Sequence, residues 1–260
     1  MRRVVFYIFV MLCVANNICR AQHFSFAQIS DTHIGKNKET ITDLQNAINQ
    51  INTIDSIKFV VITGDIVHKG DTAYLDTTKK MLDQLSVSYY IIPGNQETRY
   101  NDYCMSAYKQ VFGDDRFVFE YDSCLFLGIN SGTAGKSEGH IADSTIQWSE
   151  KYLRKRQSYK YAFLFAHHPM QEGDVDNFEK AVELVERYDI TCLFGGHYHR
   201  NIIFECGGRP DILTRTIMSD EKTKAGFSLI SISNDRLTIE EYRTDSTHNT
   251  WLDMPLFFEQ

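Results

Sequence analysis

The sequence predicts an α/β domain in which helices cover the faces of a sheet system. Two observations carry this reading. Short runs rich in β-branched and aromatic residues alternate with longer segments of helical spacing through most of the 260-residue chain. Five short polar motifs sit at the downstream ends of five of those runs. That is where α/β sheets gather their ligands, outside the carboxyl ends of the strands.

Taken in order, strands are expected at residues 24–29, 59–62, 89–92, 117–121, 125–129, 161–165 and 190–194. Each is short and rich in apolar, β-branched and aromatic residues. Between many of them, apolar residues recur at helical spacing, placing helices at 41–54, 74–85, 103–112, 145–156 and 178–188. The final third changes character. Residues 201–206, 212–217, 227–232 and 237–242 read as consecutive strands without helices between them, hence an antiparallel part of the sheet system. The tail 251–260 carries an apolar Met-Pro-Leu-Phe-Phe run that could pack on the body. The many Tyr and Phe residues fall at strand spacing and are expected to be core.

The first 21 residues read as a secretory signal. Arg2 and Arg3 form a basic start, residues 4–15 are mostly apolar, and Cys19-Arg20-Ala21 places a small residue at a cleavage point before Gln22. The apolar stretch falls short of the about 20 residues that a membrane span needs. The expected organisation is a signal peptide over 1–21 and one domain over 22–260, with export to the periplasm or beyond. Cleavage would remove Arg2, Arg3 and Arg20 from the 27 basic residues and leave all 34 acidic ones, a net charge of 24 − 34 = −10. Such a surface argues against duplex nucleic acid, which needs a basic face. In an exported chain Cys104, Cys124, Cys192 and Cys206 are open to disulfide formation, with Cys104–Cys124 one pairing to consider. Cys192 lies in an apolar run and reads as a buried thiol.

The five motifs are Asp31-Thr-His33, Gly64-Asp65, Gly94-Asn95-Gln96-Glu97, His167-His168-Pro169 and Gly195-Gly196-His197-Tyr198-His199. Asp31, His33, Asp65, Asn95, His167, His197 and His199 offer nitrogen and oxygen donors of the kind that suits Zn, Fe or Mn. Taken singly, an Asp after a strand is commonly a turn or helix-capping residue, and a His-x-His pair can lie on a strand with no metal. Jointly, seven such groups are about what two neighbouring cations with one shared carboxylate require.

The order and spacing resemble the calcineurin-like metallophosphoesterases, among them the purple acid phosphatases and bacterial phosphodiesterases. Their blocks run D-x-H, G-D, G-N-H-[DE], H-x-P and G-H-x-H, and the resemblance spans residues 24–232. It implies a two-sheet β-sandwich flanked by helices. It also implies two transition-metal ions, one held by Asp31, His33, Asp65 and His199, the other by Asp65, Asn95, His167 and His197, with Asp65 as the bridge. A hydroxide held between them would attack a phosphomonoester or phosphodiester of a small or exposed substrate.

One position departs from the pattern. Gln96 stands where the family usually has a histidine beside the metals, and a glutamine donates a hydrogen bond but supplies no titrating proton. Three readings stay open: a slow hydrolase, a hydrolase whose acid comes from His68, His140 or the substrate, and a metal-stabilised binding module without turnover. His168, one residue outside the H-x-P register, is expected near the substrate or behind the ligands. Gln96 and His168 are thus the two non-ligand residues expected to bear on catalysis.

Overall fold

The computed structural model describes residues 23–100, 102–220 and 224–257. The expected signal segment lies outside the described residues. Two mixed six-stranded sheets face each other, with helices on both outer faces. In chain order the elements are β1 (His23–Ile29), α1 (Glu39–Ile51), β2 (Ile57–Thr63), α2 (Leu75–Leu82), β3 (Tyr89–Ile92), α3 (Asn95–Arg99), α4 (Asp102–Phe112), β4 (Phe117–Tyr121) and β5 (Cys124–Gly128). They continue as α5 (Asp143–Leu153), β6 (Tyr161–Phe165), α6 (Glu179–Tyr188), β7 (Cys192–Gly195), β8 (Ile202–Cys206), β9 (Arg209–Leu213), β10 (Gly226–Ser233), β11 (Arg236–Arg243) and β12 (His248–Pro255). One sheet has the order β12-β11-β10-β1-β2-β3, the other β4-β5-β6-β7-β9-β8.

The layers follow from the two-residue period of a strand. On β6, Tyr161, Phe163 and Phe165 face the opposing sheet, while Ala162 and Leu164 face the helices. On β1, Phe24 and Phe26 point inward, and Ala27 and Ile29 join the outer core under α1. The inner layer is an aromatic stack, with Phe26–Phe59 centroids 5.0 Å apart, Phe119–Phe126 4.8 Å and Phe165–Phe194 5.1 Å. Complete burial of each such ring is worth about 1.5–3 kcal/mol. On α1 the buried Leu44, Ala47, Ile48 and Ile51 recur at helical spacing and pack on the outer face of the first sheet. Among the described residues no helix is long and apolar enough to cross a membrane.

The final third is antiparallel in two separate places. β8 and β9 form a hairpin on the second sheet, where β9 also pairs in parallel with β7; β10, β11 and β12 form a meander on the first. Residues 251–255 of the tail belong to β12, and Leu256 is buried against the inner core. Cys104 sits on α4 beside Gly70 and Cys124 in the inner core, so that pairing is not made. All four described cysteines are buried.

Candidate metal centre

β1, β2 and β3 run parallel, as do β5, β6 and β7, so both sheets send their carboxyl ends to one rim. The five polar motifs occupy that rim. Backbone hydrogen bonds lock adjacent loops: Asp31 N–H to Gly64 O at 3.0 Å, His33 N–H to Asp65 O at 2.9 Å and Gly196 N–H to His167 O at 3.0 Å. Gln28 Nε2 donates to Thr63 Oγ1 and to Gly195 O, tying the two sheets together just beneath.

The side chains converge in two groups. His33 Nε2 lies 3.1 Å from His199 Nε2 and 3.6 Å from Asp65 Oδ2, and His199 Nε2 lies 3.3 Å from Asp31 Oδ1. In the second group, His167 Nε2 lies 3.1 Å from Asn95 Oδ1 and 3.3 Å from Asp65 Oδ1, and His197 Nδ1 lies 3.0 Å from Asn95 Oδ1 and 3.3 Å from His167 Nε2. The two oxygens of Asp65 thus face different groups. All seven residues expected from the motifs are at this rim, and all but His197 and His199 are buried.

Several features fit a bound cation. His167 Nδ1–H donates to Thr63 O at 2.7 Å, which leaves Nε2 to offer its lone pair to the cluster. Asp31 Oδ1 is buried without a hydrogen-bond partner, while Oδ2 accepts from Ser30 Oγ and His197 N. Ring nitrogens and carboxylate oxygens packed this closely need protons or metal ions between them. Three sets, Asp31–His33–His199, Asp31–Asp65–His167 and His167–His168–His197, each bring three ligand atoms within 4.8 Å of one another.

The electrostatics follow from burial and mutual proximity. Burial would raise Asp31, but the neighbouring His199 ring at 3.3 Å and the charges of His167, His199 and His33 together hold it well below the usual carboxylate range. Burial lowers His33 and His197, each to about 4. His167 goes the other way: burial would lower it, but the adjacent Asp65 carboxylate, with Asp31 and the Thr63 carbonyl, together carry it up to about 10.

Backbone conformation adds an independent mark. Asp31, His33, Asp65, His197 and His199 all have positive φ, between 42° and 67°. Left-handed backbone costs a non-glycine residue about 1–2 kcal/mol, and such strain clusters at functional sites. Close packing explains two glycines of the motifs. A Cβ on Gly94 would meet Asp65 Oδ1, and one on Gly196 would meet Ser30 Oγ and Asp31 Oδ2.

Gln96 lies in the first turn of α3, with its backbone N–H donating to Asp65 Oδ1 at 2.8 Å. Its Oε1 accepts from Lys69 N–H at 2.7 Å, so the side chain holds the turn after Asp65. That turn carries His68, whose ring lies edge-on to His33 at 5.7 Å. His140 is paired with Asp176, Nδ1 to Oδ1 at 2.6 Å, on the loop that pairs Gly139 with Val175. His168 lies behind His197. It is buried, Nε2–H donates to Ser137 O at 2.9 Å, and Nδ1 therefore accepts from Ser131 Oγ–H. Both ring nitrogens are occupied, and the ring backs onto His197 at 4.6 Å.

Glu97 has a larger part than its place in the third motif suggests. Fully buried, it accepts from Ile66 and Val67 N–H through Oε1 and from Gly94 N–H through Oε2. It clamps the Asp65 and Asn95 loops against each other. The sequence signal is a glutamate at the third position of a helix reaching back to the capping residue Gly94.

Residues 24–201 match the family model for calcineurin-like phosphoesterases. The chain belongs to this family. Among curated relatives, a probable glycerophosphodiester phosphodiesterase of Arcobacter nitrofigilis is 31% identical over 66% of this chain and 71% of its own length. A probable cyclic nucleotide phosphodiesterase of Vesicomyosocius okutanii is 26% identical over 84% of this chain and 97% of its own. Among solved structures, a dimetal phosphatase from Danio rerio superposes with a TM-score of 0.70 at 17% identity, covering 87% of this chain and 98% of that one. A purple acid phosphatase from yellow lupin seeds gives 0.67 at 13% identity, over 89% and 53% of the two chains. These structural likenesses speak for the fold.

Proposed function

We propose that this calcineurin-like phosphoesterase binds two transition-metal ions and hydrolyses a phosphomonoester or phosphodiester of a small or exposed substrate. The observation that carries the reading is Asp65, whose two carboxylate oxygens face the His33–His199 and the Asn95–His167–His197 groups respectively. One carboxylate between two donor sets suits cations about 3.5–4 Å apart. Mn, Fe and Zn all match these donors. When bound, the pair would supply Lewis acidity toward a phosphoryl oxygen and an activated water.

The protein's own part is placement. Asp31 and Asp65 bring negative charge, and Asn95 adds a neutral oxygen, so the loaded site keeps net positive charge for an anionic ester. Thr63 O fixes the His167 ring, and Glu97 fixes the loops of Asp65 and Asn95. Gln96 supplies no proton, so esters with good leaving groups should be turned over best. The relatives named as phosphodiesterases support ester hydrolysis as the activity. Export after cleavage near Ala21–Gln22 is part of the same proposal, and a native protein retaining Met1 would contradict that part.

Purified protein loaded with Mn, Zn or Fe should hydrolyse generic aryl mono- or diesters. Stoichiometric metal binding with no turnover of either class would favour a phosphate-binding module instead.

A further inference from the structure

Beside the metal centre, on the far side of His199, lies a cavity of about 320 Å³. His199 lines it and also touches Asp31, so the cavity and the centre share a wall. Lys36, Arg200, Arg215 and Arg243 bring four positive charges to its lining, and Asp220 and Glu241 bring two negative ones. A local excess of two positive charges stands out on a chain whose overall balance is −7.

The walls are built. Arg215 is buried, pairs with Glu241 and donates to Lys224 O at 2.8 Å, while Asn201 Nδ2 donates to the other Glu241 oxygen at 2.9 Å. Arg243 shares Glu241 at 2.7 Å and stays 27% exposed. Thr216 Oγ1 donates to Asp31 O at 2.7 Å, which ties this wall to a residue of the centre. Lys36 sits one turn beyond His33, its N–H donating to His33 O, and Arg200 directly follows His199. Among the described residues neither Lys36 nor Arg200 has a carboxylate partner, although most arginines of the chain do. Arg200 rests instead over the Tyr198 ring at 5.6 Å.

Resting on the phosphoesterase reading, we propose that this cavity is a subsite for a second anionic group carried by the substrate. The substrate class is then a small phosphate ester whose alcohol portion bears a carboxylate or a further phosphate. With the reacting phosphoryl group at the metal centre, its leaving group would extend past His199 toward Lys36 and Arg200. A neutral leaving group gains nothing from these cations. An anionic one replaces their water with charge-assisted hydrogen bonds. The volume sits at the lower end of small-molecule sites, about 300–1,000 Å³, and suits a small organic acid rather than a polymer.

The test compares phenyl phosphate, 4-carboxyphenyl phosphate and 1,4-phenylene bisphosphate on the metal-loaded full chain and on Lys36→Ala/Arg200→Ala. In the unmodified protein kcat/KM should favour at least one doubly anionic ester by about tenfold, the scale of one charge-assisted hydrogen bond. The preferred ester tells carboxylate from phosphate. In the double variant the ratio should fall by about tenfold; leaving-group reactivity and the two equivalent phosphoryl groups of the bisphosphate are the same in both proteins and cancel in that comparison. A ratio that is flat in the unmodified protein, or unchanged in the variant, overturns the subsite. Should none of these monoesters be turned over, calorimetry decides the subsite alone, and the phosphoesterase reading fails only if aryl diesters are inert as well. 4-Carboxyphenylphosphonate should then bind about tenfold more tightly than phenylphosphonate, with the difference lost in the variant. Equal affinities would overturn it.

Discussion

The side chain of Gln96 accepts a hydrogen bond from the backbone N–H of Lys69, and through it the third motif grips the turn that follows Asp65. Where the family usually has an imidazole, this chain has a strut. Gln96→His should therefore do two things at once: place a proton donor beside the centre and release the Lys69 turn. With an alkyl ester, whose basic leaving group needs protonation, turnover should rise toward about 10²-fold. An aryl ester should improve little. Equal gains on both would indicate better binding; a fall on the alkyl ester at full metal content would show that the strut matters more than the proton.

Glu97 accepts three backbone N–H groups, and no neutral isostere can do the same. In Glu97→Gln the amide nitrogen must face one of those donors, at a cost of about 1–3 kcal/mol for the group left unsatisfied. Chemical denaturation should register that loss, and metal affinity should weaken because the Asp65 and Asn95 loops are no longer clamped. Unchanged stability with unchanged metal content would remove Glu97 from its positioning role.

His168 calls for a different expectation from the ligands. Its ring bridges Ser131 and Ser137 O and supports His197. His168→Ala should destabilise the fold by about 1–3 kcal/mol and loosen metal on the His197 side. A large fall in kcat with stability and metal content intact would instead place His168 in contact with substrate.

Much of this arrangement was legible in the sequence, and the rest has identifiable reasons for hiding. The apolar run at 161–165 marked a strand with its aromatic residues in the core, and motif position placed seven donors where the structure has one rim. The positive φ of Asp31, His33, Asp65, His197 and His199 leaves no trace in residue type beyond the tolerance of Asp and His for that conformation. The helix Asn95–Arg99 is too short to show a period, and the edge strand His248–Pro255 is too exposed to show an apolar one. The hydrogen bonds of His168 depend on Ser131 and Ser137, far away in sequence, so nothing next to it in the chain could reveal them.

Asp211 sets a pH dependence outside the metal centre. Burial lifts its carboxyl from an ordinary 3.8 to about 7, against the opposing Met170 N–H bond. The folded state holds this proton more tightly than the unfolded state does. The associated stability is therefore fully present below about pH 4 and is lost as pH rises through about 7. Asp211→Asn keeps an acceptor for Met170 and removes the titration. In chelator, the unmodified protein should lose roughly 2–3 kcal/mol relative to the variant between pH 5 and pH 8. Parallel stability curves would contradict this.

The central claim is that Asp65 is shared by two metal ions, and elemental analysis tests it most directly. Protein purified without chelator should carry close to two transition-metal ions per chain. Asp65→Asn keeps the shape of the side chain but removes its charge, so both occupancies should fall together. Full occupancy in the variant, or the loss of one ion with the other retained, would contradict a bridging Asp65.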